Sequence, residues 1–206
     1  LSQKDFKKPY IIDKPGYYYL TENIELNFYP TIHSVFEINT AHDKFGFSAG
    51  IKINTQYVIL DLNGKTITQS SLHNIEQRFY AHIELASSPF IPNQGPGNFG
   101  SSIKMPKNVC ILNGTLGLSS HHGIHGNKME NVIVDNVIFK NFEVAAVALN
   151  GGNNCILNKL NVLNTNMDVK VLSTYSSARF IRKFLKNIEN IDNQRYLNLD
   201  SGVKTI

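Results

Sequence analysis

The chain has no tryptophan, only two cysteines and, at 17%, few charged residues among its 206 positions. Each shortage excludes something. Two cysteines, Cys110 and Cys155, cannot form the disulfide framework that staples small secreted domains. The net charge is only +4, and the basic residues are scattered apart from short clusters at Lys4–Lys8 and Arg179–Lys186. That is too thin for the basic face a nucleic acid requires. No apolar run reaches the roughly 18 residues of a membrane-spanning helix. Neither nucleic acid nor a membrane is therefore an expected partner. The opening LSQKDFKKPY holds neither a hydrophobic signal core nor a methionine, as expected of a processed or trimmed chain. Arginine is missing between Arg78 and Arg179, and the carboxylates of Asn108–Asn166 are limited to Glu130, Asp135 and Glu143.

Hydrophobic residues make up 42% of the chain, enough for one sizeable core, and they recur with a period. Segments beginning NVCIL at Asn108, NVIVD at Asn131 and NCILN at Asn154 align at offsets of 131 − 108 = 23 and 154 − 131 = 23. In each, asparagine precedes three apolar residues, and a second apolar position follows at Leu116, Phe139 and Val162. YVILDLNGKTI, from Tyr57, has the same pattern with one extra residue before its Asn-Gly. Short Val/Ile/Leu runs separated by Asn and Gly read as strands joined by tight corners. The leucine-rich-repeat pattern is not reproduced, and no unit has a helical half. The spacing predicts an all-β fold, a parallel β-helix with coils of about 23 residues stacked at a strand spacing of about 4.8 Å. Asn108, Asn131 and Asn154 are then expected to form an amide ladder at one corner. Cys110 and Cys155, two coils apart at about 9.6 Å and one position out of phase, are expected to be free and mostly buried.

The period implies a division into 1–168, a β-helix with an N-terminal cap, and 169–206, a helical cap or tail. The latter rests on TYSSARFIRKFLKNIENI, whose Phe180, Ile181, Phe184, Leu185, Ile188 and Ile191 follow helical spacing. Thr68–Arg78 reads as a polar stretch and FYAHIELA as a strand. Ser87–Asn108, rich in proline and glycine, reads as a projecting loop. Asp61 is expected to hold a corner through its backbone bonds, and the N-terminal tyrosines to pack in the cap.

KPGYYYLTENIEL followed by AGIKINTQYVILDLNGKTI resembles the opening of right-handed parallel β-helix proteins of the pectate-lyase-like superfamily. ENVIVDNVIFKNFEVAAVALNG is similar to their middle coils, and the resemblance runs from about Pro9 to Asn166. It implies the fold, and a choice among lyases, hydrolases, epimerases and inert fibres. The polygalacturonase-like motifs are only partly matched. His122-Gly123 and His125-Gly126 are present, but no Asp-Asp pair and no arginine motif accompanies them. A pectate-lyase mechanism would need a lysine, such as Lys140 or Lys159, in place of the missing arginine.

SSHHGIHGN carries the remaining chemistry. Shifted by one period, Ser120 falls over Glu143, His121 over Val144, His122 over Ala145 and His125 over Ala148. A carboxylate beside an imidazole and a hydroxyl can serve acid–base chemistry. His122, Glu143, His125 and Lys140 are the expected catalytic residues, with Ser120, His121 and Tyr80 touching substrate. The alternative is a polar patch on a sheet face. The histidine spacing fits no familiar metal site, so neither a metal nor a cofactor is expected. Two functions follow. One is a carbohydrate-interacting protein that binds a polysaccharide or glycan, or cleaves it as a lyase or hydrolase. The other is a non-catalytic fibre, spike or surface module, extracellular or on a virion, forming a homo-oligomer such as a trimer.

Overall fold

A computed structural model of the protein describes residues 1–28, 48–77, 80–85 and 105–164. All belong to the first, Leu1–Met167, of the two units into which the chain divides. The C-terminal helix expected within 169–206, the His42–Gly46 stretch, whose sequence reads as a loop, and most of the Ser87–Asn108 insertion lie outside these residues.

In chain order the strands are β1 (Tyr10–Ile12), β2 (Gly16–Tyr19), β3 (Ile24–Leu26), β4 (Ser48–Ile53), β5 (Gln56–Asp61), β6 (Thr66–Gln69) and β7 (Tyr80–Glu84). They continue as β8 (Lys107–Leu116), β9 (His122–Asn127), β10 (Glu130–Lys140), β11 (Ala145–Asn150), β12 (Asn153–Asn158) and β13 (Asn161–Leu163). A five-stranded sheet, here sheet A, runs β1-β4-β7-β9-β11. An eight-stranded sheet, sheet B, runs β12-β10-β8-β5-β2, with β13 on β10 and β6 joining β3 to β8. Every strand pairing is parallel. Neither sheet closes on itself. The all-β, parallel character expected from the period is present.

The period is also the register. Val109 pairs with Val132 and Val132 with Cys155, while Leu116 pairs with Phe139 and Phe139 with Val162. Along sheet B the inward positions Val58, Leu60, Val109, Ile111, Val132, Val134, Val137 and Phe139 are buried. Full burial of one such side chain contributes about 1.5–3 kcal/mol. The corners need left-handed backbone, and asparagine supplies it: φ is 55° at Asn108, 51° at Asn131 and 55° at Asn154. Asn131 Nδ2 donates to Asn108 Oδ1 at 2.9 Å and Asn154 Nδ2 to Asn131 Oδ1 at 2.8 Å. The expected ladder is therefore present. Asn136 repeats it on Asn113 (3.1 Å), and Asn158 on Asp135 (2.6 Å). Asp61 Oδ1 accepts from the Asn63 N–H at 2.8 Å, the corner bond expected of it.

Three details differ from expectation. Both cysteines are free, but they are half-buried rather than mostly buried, because Cys110 faces outward and Cys155 sits on the last described layer. Tyr17 and Tyr19 are 59% and 48% exposed, so they do not pack inside a cap. Tyr10 and Tyr18 are partly buried against the core, and the N-terminal segment supplies the first strands of both sheets. Thr68–Arg78 is not only a polar stretch: α1 (Ser71–Glu76) forms there, capped by the Ser70 hydroxyl accepting from the His73 N–H at 3.1 Å.

The sheets differ in burial. Strand β5 of sheet B alternates, whereas β4 and β7 of sheet A are buried at every position. Polar side chains on β4 and β7 therefore lie in a desolvated setting.

Candidate functional site

Three histidines of SSHHGIHGN converge on sheet A. The chain approaches its neighbours closely at Gly123, where a Cβ would lie 2.5 Å from the Ala146 carbonyl oxygen and 2.6 Å from the Phe139 ring. Only glycine fits there. Around it the side chains of β9 depart from simple alternation. The His122 and His125 rings, three positions apart, stack with centroids 5.1 Å apart and planes inclined by 7°. His121 Nδ1 lies 2.9 Å from His122 Nδ1, so one ring donates and the other accepts.

The carboxylate bonded to this group is Glu84, whose Oε2 lies 2.8 Å from His125 Nδ1. Glu84 stands opposite His125 in the strand register, and Lys52 stands opposite Glu84. Lys52, Glu84 and His125 thus form a row across β4, β7 and β9. Lys52 and Glu84 are 0% exposed, His125 5% and His122 8%. Burial holds the Lys52 ammonium down to about 8, with the Glu84 carboxylate opposing the shift. Burial also pushes His122 down to about 3, helped by His121 and then His125. His122 is therefore neutral at pH 7. Charges at this depth need a partner; Glu84 has one in His125 Nδ1, and Lys52 stands opposite Glu84 in the register.

A second polar group lies beside it. The Tyr80 hydroxyl is 3.2 Å from His82 Nδ1, and His82 Nε2 is 3.2 Å from the Gly117 carbonyl. A carbonyl only accepts, so Nε2 carries the proton and Nδ1 accepts from Tyr80. Burial holds His82 at about 4 and His73 at about 3. Gln69 Oε1 accepts from Asn74 Nδ2 at 3.1 Å and from the Ser120 N–H at 2.7 Å.

The residues expected from sequence are thus partly brought together. His122 pairs with Ala145 and His125 with Ala148. The Glu143 N–H donates to the Ser119 carbonyl at 3.1 Å, so the one-period shift holds at this corner too. Glu143 itself precedes β11 and is half-buried. Ser120 is 1% exposed and gives its hydroxyl to the Gln77 carbonyl at 2.5 Å. Tyr80, expected to touch substrate, is fully buried with its hydroxyl on His82. Lys140 is exposed at the end of β10, opposite Leu163 on sheet B, whereas the histidines stand on sheet A. Lys52 and Glu84 were not anticipated. Their signal was present: Ile51-Lys52-Ile53, Ile83-Glu84-Leu85 and Ile124-His125-Gly126 each set one ionisable residue after an isoleucine. Among the described residues, no three His, Cys, Asp or Glu side chains are grouped so as to hold a metal ion. No helix of the described residues is long and apolar enough to cross a membrane.

Comparison with protein-family models, curated proteins and solved structures yields no match.

Proposed function

We propose that this chain is a carbohydrate-interacting right-handed parallel β-helix of the pectate-lyase-like kind. Its chemistry resides in the row Lys52–Glu84–His125, with His122 stacked on His125. The 23-residue register, the parallel sheets and the asparagine ladders support the solenoid reading. The observation that carries the functional reading is the 2.8 Å contact between Glu84 Oε2 and His125 Nδ1. A carboxylate on Nδ1 fixes the tautomer and orientation of the imidazole, the arrangement in which lyases and hydrolases use histidine as an acid or base. Lys52 offsets the carboxylate charge, and neutral His122 keeps the ring stacked without repelling an imidazolium.

The test is a depolymerisation and glycan-array screen of neutral and acidic polysaccharides. Expected is activity in the parent, reduced at least 100-fold by His125→Ala and by Glu84→Gln, with circular dichroism showing both variants folded. A parent that neither binds nor cleaves any polysaccharide sinks the reading.

The burial of Glu84 and His125 favours a second reading, a non-catalytic fibre or surface module in which the pair only fixes the packing of sheet A. Under it, light scattering finds an oligomer such as a trimer, and the screen stays silent.

A further inference from the structure

The outer face of sheet B carries a groove separate from the histidine row. Its floor is a file of outward side chains on consecutive strands. Tyr17 stands opposite Ile59, Ile59 opposite Cys110, Cys110 opposite Ile133 and Ile133 opposite Ile156. Ile59, Ile133 and Ile156 are 42%, 39% and 51% exposed. One wall is the ladder of Asn108, Asn131 and Asn154. Tyr57 holds the same corner position on β5, with φ 57° against 55° at Asn108, and is 64% exposed. The groove encloses about 270 Å³ and crosses four strands.

Two properties define what fits. No residue lining the groove is charged. A carboxylate laid on the isoleucine floor would lose hydration and meet the like charges of Asp61 and Asp135, two positions on from Ile59 and Ile133 and close enough to add to the burial that raises the Cys110 thiol. Each ladder amide has two N–H donors and two lone pairs. Asn131 and Asn154 each spend one N–H on the amide of the preceding layer. Each keeps a second donor and a further acceptor site, offered once per strand at intervals of about 4.8 Å. The wall is thus a periodic array of amide donors and acceptors beside an apolar floor. Its complement is an extended, uncharged polymer with C–H faces, and hydroxyls recurring at about the same interval. An extended chain of pyranose rings has that form.

We propose that this groove binds a neutral glycan chain laid across the strands, with sugar C–H faces on Ile59, Ile133 and Ile156 and hydroxyls on the asparagine ladder. The proposal rests on the carbohydrate reading but not on the proton chemistry of sheet A, and it names the ligand class. It also makes the groove a binding face distinct from the row.

The test uses the full chain on an array of neutral and uronic-acid glycans, followed by calorimetry with a neutral hexasaccharide that scores on it. Ile133→Lys puts a charge in the floor. Asn131→Gly removes one rung of the ladder while tolerating the left-handed backbone. Expected is neutral-glycan binding by the parent, weakened at least tenfold in both variants, with the Ile133→Lys melting temperature unchanged. Parent-like binding by both variants overturns the groove and leaves the carbohydrate reading standing. So does binding confined to acidic glycans. If Ile133→Lys instead turns an oligomer into a monomer and leaves sugar binding intact, the groove is a contact between copies and the proposal fails. A parent that binds no glycan overturns both readings.

Discussion

Glu84 and His125 lie 41 residues apart in the chain, yet Glu84 Oε2 sits 2.8 Å from His125 Nδ1 on neighbouring strands. Both are buried, and Lys52 flanks the carboxylate. Glu84→Ala removes the acceptor bonded to His125 Nδ1 and the carboxylate that stands opposite Lys52, in a dry setting. Removing one partner of a buried pair costs about 3–5 kcal/mol. Glu84→Gln keeps an acceptor and loses the charge, so its cost is smaller. Urea denaturation at pH 7 should rank the proteins parent, Glu84→Gln, Glu84→Ala.

Stability should fall in acid. His73 and His82 are held at about 3 and about 4 in the folded chain, against about 6.5 when unfolded. Between those limits the unfolded chain binds protons that the native protein refuses. Stability is therefore fullest above pH 6.5 and declines as pH drops towards 4. Each imidazole costs on the order of 2 kcal/mol by pH 4.5. Urea midpoints at pH 7 and 4.5 measure the slope, and His82→Gln should flatten it. Lys52, held at about 8, acts in the same direction at higher pH: stability gains further between pH 8 and the ordinary lysine range.

The asparagine corners can be dissected at Asn131, which has φ 51° and bonds to the ladder on both sides. Asn131→Ala loses both amide bonds and forces a methyl side chain into left-handed backbone, for a cost of about 2–3 kcal/mol. Asn131→Gly loses the bonds but not the conformation, so about 1 kcal/mol should separate the two variants. Thermal melts of both against the parent decide it. Equal destabilisation would show that the hydrogen bonds, not the backbone, set the cost.

Gly123→Ala should be among the costlier single-methyl additions. The new Cβ would meet the Ala146 carbonyl oxygen at 2.5 Å, and backbone cannot swing aside as a side chain can. Overpacking of this kind costs about 1–3 kcal/mol. The displaced β9 should also unstack His122 from His125. Loss of melting temperature, together with altered histidine proton shifts in NMR spectra, checks both parts.

The ladder Asn108–Asn131–Asn154 and the column Leu116–Phe139–Val162 were legible because parallel stacking at fixed register puts like residues over like. A repeated environment selects a repeated residue, and the repeat shows in one dimension. The same logic placed His122 over Ala145 and His125 over Ala148. It did not reveal Glu84 beside His125, or Lys52 beside Glu84, because those strands are separated by unequal stretches of chain and no constant offset links them. Nor did it show that Tyr80 and Ser120 are buried, since polar residues in a short strand look alike whether water or protein lies beyond them.

By itself the sequence determined the period, the parallel all-β character and the asparagine corners, since each follows from local backbone preference and from side chains stacking on their own repeat. Tertiary structure alone decided which carboxylate meets the imidazoles, which strands of sheet A are dry on both faces and which outward file of isoleucines stays exposed. Those depend on contacts between residues dozens of positions apart, where desolvation and packing act on neighbours that adjacency along the chain does not specify.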